Sequence, residues 1–234
     1  MISIICCYNN LKQYSDMVDS LKKSTIEYEL VGIDNTNSKF KSAAAALNFG
    51  GDIATGDMLV FLHQDIIFNS EKSLATLVEN YKKLPSDSAI LGIFGATRTG
   101  KKEILEGVFA VDTLDECLVI LNRDTFEKHR FNENLCNGWH LYVVELCIRI
   151  RMLNGLVAVV EHDITHLSTG EVNESYMKTF KQLLNTYKSE KWICTTCKTL
   201  PTNMFVFYLY YILWKIKKTV IGNYPLMSKL RKVI

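Results

Sequence analysis

Proline is scarce, with three in 234 residues. No stretch is rich in proline or of low complexity, so nothing marks an extended linker. No apolar run reaches the roughly 18 residues that a membrane-spanning helix needs. The nearest, residues 204–214, is about half that length. No basic segment precedes the apolar residues 2–7, which argues against a secretory signal peptide. An excess of one charge is missing too. Lys and Arg number 27 against 25 Asp and Glu, a net +2, so the surface as a whole is not built to coat nucleic acid. The seven cysteines are odd in number and sit mostly in apolar runs. That excludes a full disulfide framework and fits free thiols in a reducing compartment. These absences together predict a cytoplasmic protein.

What is present alternates. Residues 2–7, 30–33, 58–62 and 89–94 are short, uniformly apolar runs that read as strands. Between them lie helical patterns over 11–21, 42–54 (interrupted by Gly50 and Gly51) and 70–84, with Ser70 as a candidate N-cap. Apolar strands alternating with amphipathic helices predict an α/β fold with a mostly parallel sheet covered on both faces. Ligands bind such sheets beyond the carboxyl ends of the strands. The segments there are Tyr8-Asn9, Asp34-Asn35 and His63-Gln64-Asp65.

The second half is mixed. It offers a hairpin turn at 97–102, a strand at 116–121, a short helix opened by Asn122, and a helix from Gly138 carrying Leu141, Val144, Glu145, Ile148 and Met152. A strand at 156–160 follows, ending near His162 and His166, and then an amphipathic helix over 173–189. The chain divides into a catalytic domain, residues 1–170, and a helical C-terminal extension, 171–234.

An acid closing a central strand can hold Mg²⁺ or Mn²⁺ against phosphate oxygens. The imidazole of His63 beside Asp65 tilts the choice toward Mn²⁺, and His166 is a further candidate ligand. Asp34 could meet a ribose hydroxyl or a base N–H, or simply cap its own turn. Residues 95–102 approach a phosphate-binding loop, but Lys102 stands where a Ser or Thr is required, and no G-x-G-x-x-G follows any strand. Cys194-x-x-Cys197 has no second pair to complete a zinc site. The aromatic run 204–214, with lysines 215, 217 and 218 and the later Lys229, Arg231 and Lys232, fits two roles. One is peripheral membrane contact through 204–232; the other is a helix packed on the domain or on a twin subunit.

Three stretches carry a resemblance to a known family. They are Ser3-Ile-Ile-Cys-Cys-Tyr-Asn9, Ala44-Ala-Ala-Leu-Asn48-Phe-Gly50, and Ala54-Thr-Gly-Asp-Met-Leu-Val-Phe-Leu-His-Gln-Asp65. In order and spacing this sequence resembles the family 2 glycosyltransferases with the GT-A fold, in a bacterial subgroup with F-L-H-Q-D in place of D-x-D. The resemblance runs from residue 2 to about 170. It implies transfer of a sugar from a nucleotide-sugar, most naturally a UDP-sugar, to a glycan or lipid-linked acceptor in surface polysaccharide synthesis, with inversion and with Mn²⁺ or Mg²⁺. It implies sugar-donor contacts from Tyr8, Asn9, Asp34, Asn35, Asn48, His63, Gln64 and Asp65, and metal ligation by Asp65, His63 and His166. The inner face of the cell membrane is then a second location.

One position departs from the pattern. Val143 stands where the family's helix carries its general base, and valine accepts no proton. Glu145 and His140 are the catalytic candidates that remain, with Glu133 behind them, although residues two apart on a helix point about 200° apart. The departure keeps open a non-catalytic nucleotide-sugar-binding or scaffolding role. A nucleotidyltransferase is a third reading of the same fold.

Overall fold

The computed structural model describes residues 1–84, 88–168, 170 and 172–222. In chain order its elements are β1 (Ile2–Tyr8), α1 (Leu11–Leu21), β2 (Glu29–Asp34), α2 (Ala43–Ile53), β3 (Met58–His63), β4 (Ile66–Phe68), α3 (Ser73–Lys82), β5 (Ala89–Gly92), β6 (Gly95–Ala96), β7 (Lys102–Leu105) and β8 (Val108–Ala110). There follow β9 (Thr113–Leu114), β10 (Leu118–Asn122), α4 (Arg123–Lys128), α5 (Tyr142–Met152), β11 (Leu156–Val160), β12 (Ile164–His166), α6 (Glu174–Thr186), β13 (Trp192–Cys194), β14 (Thr199–Pro201) and α7 (Met204–Gly222).

Eight strands form one mixed sheet in the order β2-β1-β3-β10-β5-β11-β8-β7. β1 lies parallel to β2 and to β3, while β10 runs antiparallel between β3 and β5. Strand alternation divides the core between the two faces. Ile5, Leu59 and Phe61 face one way, toward Ala44, Leu47 and the inner side of α5. Ile4, Cys6, Val60 and Leu62 face the other way, toward Met17 and Leu21 of α1 and Leu74, Leu77 and Val78 of α3. Each such fully buried aliphatic side chain contributes about 1.5–3 kcal/mol.

Gly50 and Gly51 do not weaken α2. A Cβ on Gly50 would lie 2.4 Å from Ile5 and 2.6 Å from Ile33, and one on Gly51 would lie 2.3 Å from Phe126. The two glycines let the helix sit directly on the sheet.

Several local expectations need correction. Ser70 does not cap α3, which starts at Ser73; its hydroxyl donates to Asp163 instead, at 2.6 Å. Residues 97–101 join β6 to β7, but these strands pair with β9 and β8 rather than with each other, so the segment is not a hairpin turn. The C-terminal part is not wholly helical. It includes the antiparallel pair β13–β14, held to the sheet domain where Thr113 Oγ1 donates to the Cys194 carbonyl at 2.6 Å. A third apolar cluster joins Val144 and Ile148 of α5 to Phe180 and Leu183 of α6 and to Phe207 of α7.

Among the described residues, no helix is long and apolar enough to cross a membrane. Lys229, Arg231 and Lys232 lie outside the described residues.

Candidate functional site

The carboxyl ends of the parallel strands meet in register, with Tyr8 opposite Asp34 and Cys7 opposite His63. There the chain leaves the sheet three times and a cleft of about 310 Å³ opens. Tyr8, Asn9, Asn35, His63, Gln64 and Asp65 all line it, as do Trp139, Tyr142 and Ser168. Gln64 fixes one wall. Its Oε1 accepts the N–H groups of Asn9 and Asn10 at 2.9 and 2.8 Å, and its amide donates to Asn9 Oδ1 at 2.9 Å. Asn35 shapes the opposite wall by clasping the backbone of Phe40, accepting its N–H at 2.7 Å and donating to its carbonyl at 3.2 Å.

Two expected sugar-donor residues are not brought to the cleft lining. Asp34 is exposed and folds back on its own turn, where its carboxylate accepts Thr36 N–H at 2.8 Å and Thr36 Oγ1 at 2.7 Å. Those bonds, the backbone one first, lower its pKa. Asn48 is buried and its amide is committed to the segment after α4. It bonds the Phe131 backbone in both directions and donates to Glu133 at 2.8 Å. Glu133 is thereby directed at Asn48 and does not line the cleft.

His63, Asp65 and His166 converge beside this cleft, each offering one ligand atom within 4.8 Å of the others. β3 delivers His63, the turn after it delivers Asp65, and β12 brings His166 alongside by pairing with Ile66 of β4. Asp65 Oδ1 lies 3.4 Å from His166 Nε2. Burial works against the charge on Asp65, but hydrogen bonding with His166 and Ser168 prevails and brings its pKa down to about 2. Hydrogen bonding with Asp65 raises the pKa of His166. Burial lowers that of His63, which keeps its ring neutral and able to ligate. A carboxylate with two imidazoles is a fitting donor set for Mn²⁺ and leaves positions for phosphate oxygens. Asp115 and Cys117 also approach His166 and form a second group of possible ligands with it. His162 takes no part; its Nδ1 accepts Ile164 N–H at 3.2 Å and its ring meets Phe94 edge-on.

A second cleft, about 650 Å³, opens on the other side of the same residues. His63, Trp139 and Ser168 line both clefts. The second is also lined by Asp115, Glu116, His140, His166 and Tyr176. His140 stands there edge-on to Tyr176, with ring centroids 5.8 Å apart. Tyr142 joins the two sides, with its hydroxyl 3.2 Å from His63 Nε2 and donating to the Glu116 carbonyl at 3.4 Å.

Glu145 is not in either cleft. It is fully buried and its oxygens are saturated. Arg149 donates to both of them at 2.8–3.0 Å, and Tyr187 and Asn132 donate to Oε1 at 2.5 and 3.1 Å. Such a group anchors α5 and cannot receive a proton from a substrate. Val143 is buried in the sheet-facing core. The helix start is irregular as well: Leu141 precedes α5 with φ +67°, a left-handed conformation that costs a non-glycine residue roughly 1–2 kcal/mol.

Sequence reasoning missed Trp139, Tyr142, Ser168, Asp115 and Glu116. The last two carried a signal. They precede an apolar run, and because β10 is antiparallel its amino end lies at the carboxyl edge of β3, where Cys117 carbonyl accepts His63 N–H at 2.9 Å.

No family model and no curated protein matches the sequence. Solved structures do match in fold. GalNAc-T7, crystallised with UDP, GalNAc and Mn²⁺, superposes with a TM-score of 0.61 at 12% identity over 78% of this chain and 47% of that one. Residues 1–349 of TarS from S. aureus, in complex with UDP-GlcNAc, give 0.51 at 15% over 79% and 65%. The catalytic domain of Drosophila β1,4-galactosyltransferase 7, in complex with xylobiose, gives 0.53 at 14% over 77% and 79%. This chain therefore has the GT-A glycosyltransferase fold, and it spans less than two thirds of the first two structures it matches.

Proposed function

We propose that the protein is a metal-dependent, inverting glycosyltransferase that moves a sugar from a UDP-sugar to a hydroxyl of a glycan or lipid-linked acceptor. The observation that carries this reading is the placement of His63, Asp65 and His166 between two clefts that share His63, Trp139 and Ser168. A nucleoside diphosphate fits the first cleft, along Tyr8, Asn9 and Asn35, and an acceptor fits the second. The sugar then lies at the shared wall, where an acceptor hydroxyl can approach in line with the departing diphosphate.

Bound Mn²⁺ or Mg²⁺, held by His63, Asp65 and His166, would supply neutralisation of charge on the leaving diphosphate. The chain's own part is to orient. Gln64 and Asn35 hold the walls of the nucleotide cleft, and Trp139 offers an exposed indole on which a sugar ring can stack. Two comparison structures hold UDP or UDP-GlcNAc, and one of them Mn²⁺, which favours this donor and metal class.

The exposed face of α7 supports contact with an anionic membrane and so a lipid-linked acceptor. Phe205, Tyr208, Leu209, Ile212, Leu213 and Ile216 are 45–77% exposed and recur at helical spacing along one side. Residues 204–234 carry six Lys or Arg and no Asp or Glu, a balance that suits anionic headgroups and opposes self-pairing. Acceptor synthesis for surface polysaccharide at the inner membrane face is consistent with this arrangement.

A thermal-shift panel of nucleotide-sugars with and without Mn²⁺ tests the reading, because a ligand that binds only the native state raises its melting temperature by mass action. One UDP-sugar should stabilise the protein in a Mn²⁺-dependent manner, and Asp65→Ala should abolish the effect. No stabilisation by any nucleotide-sugar would sink the proposal. Val143 favours a second reading, non-catalytic binding, which predicts stabilisation without release of UDP. Release of pyrophosphate instead would identify a nucleotidyltransferase.

A further inference from the structure

With Val143 unable to accept a proton and Glu145 sealed in the core, the acceptor side of the site needs another base. Among the described residues, two carboxyl groups line the second cleft, those of Asp115 and Glu116. The oxygens of Asp115 are occupied: Oδ1 accepts Cys117 N–H at 3.1 Å and Oδ2 accepts Thr196 Oγ1 at 2.6 Å. Glu116 differs. The residue as a whole is half-buried, but its Oε1 is fully covered and has no hydrogen-bond partner. Folded proteins leave few buried acceptors in that condition, and a catalytic role is one reason for keeping one; Gln182 Oε1 on α6 is another among the described residues.

Glu116 is also well placed and well held. Burial, and then the charge of Asp115, push the pKa of its carboxyl well above the usual carboxylate range, while the backbone N–H groups of Tyr142, Val143 and Leu141 at the first turn of α5 pull the other way. That turn has no side-chain cap of its own. Its backbone carbonyl receives the Tyr142 hydroxyl, the same hydroxyl that sits against His63. The backbone of residue 116 is thus tied through the Tyr142 side chain to His63.

We propose that Glu116 is the general base of the transfer reaction, its carboxylate taking the proton of the acceptor hydroxyl. The acceptor oxygen forms its bond to the anomeric carbon, and the bond from that carbon to the diphosphate oxygen breaks. The electron pair leaves with UDP, and the hydroxyl proton passes to Glu116. The assignment rests on the glycosyltransferase reading of the same site.

The experiment compares the wild type with Glu116→Gln, whose amide oxygen can still face the α5 turn. Affinity for the stabilising UDP-sugar is measured by calorimetry with Mn²⁺. Release of UDP is measured with water, and then with azide, as the acceptor. Azide attacks without giving up a proton. We expect equal affinity, water-dependent release lowered by about 100-fold or more in Glu116→Gln, and recovery of release in that variant with azide. Wild-type release by Glu116→Gln overturns the assignment, as does a loss that azide does not repair. A loss in His140→Asn that azide does repair, with none in Glu116→Gln, moves the role to His140. If the wild type binds no nucleotide-sugar at all, the reading of the whole site fails and this assignment with it.

Discussion

Asn48 and Phe131 exchange two hydrogen bonds across the interior: Phe131 N–H donates to Asn48 Oδ1 at 3.0 Å and Asn48 Nδ2 donates back to the Phe131 carbonyl at 2.9 Å. The side chain thereby does for residue 131 what a neighbouring strand would do. It joins α2, whose Ala43 and Leu47 line the first cleft, to the loop that leads into α5. Asn48→Ala leaves both backbone groups buried without partners, which costs about 1–3 kcal/mol for each such group. Urea denaturation should show a loss in that range. An unchanged midpoint would show that the pair contributes nothing.

Glu145 makes a related prediction with the opposite functional sign. Glu145→Ala strands Arg149 and the Tyr187 hydroxyl, so stability should fall by about 3–5 kcal/mol. The fraction that remains folded should release UDP at the wild-type rate. Full stability with lost turnover would return Glu145 to the list of bases.

Glu29 predicts an acid-dependent term. Its carboxylate accepts the Ser3 hydroxyl and Thr55 N–H, the former at close range and the latter at 2.8 Å. The Ser3 bond is the larger cause of its lowered pKa. A depressed folded pKa contributes stability above the unfolded value, about 4.3, and that stability is lost as pH falls through the folded value. Denaturation midpoints of wild type and Glu29→Gln should differ at pH 7 and converge near the acid limit. A constant gap across the range would refute the linkage.

For α7, Leu209→Glu combined with Ile212→Glu should abolish co-sedimentation with phosphatidylserine vesicles. Lys217→Ala should weaken it by about fivefold, since each lysine near an anionic surface is worth about 1 kcal/mol. Raised salt should act in the same direction. If the double variant instead converts a dimer to a monomer and leaves vesicle binding unaltered, the face belongs to a second subunit.

The first half of the fold was legible because its strands are short, uniformly apolar runs that end at polar turns. Those turns mark the carboxyl edge of the sheet, so His63, Asp65, Tyr8 and Asn9 could be placed together from order alone. The direction of β10 was not legible. An apolar run such as Leu118–Asn122 reads the same in either sense, and only its antiparallel pairing brings Glu116 to the site. Nor were β4, β12, β13 and β14, at three residues each, long enough to show a period. The roles of Asn48 and Glu145 failed for a different reason. A motif position records which residue type stands there, not whether its polar atoms are already taken by the fold.

The three residues proposed to hold the cation are split between two distant parts of the chain, with Asp65 beside β4 and His166 on β12. A chain synthesised only as far as β5 carries His63 and Asp65 but lacks His166, as well as Trp139, Tyr142 and Ser168 of the first cleft. Affinity for a cation at the proposed site therefore requires β12 to pair with β4, and any lesion that loosens that pairing should register as weakened metal affinity before it registers as loss of the sheet.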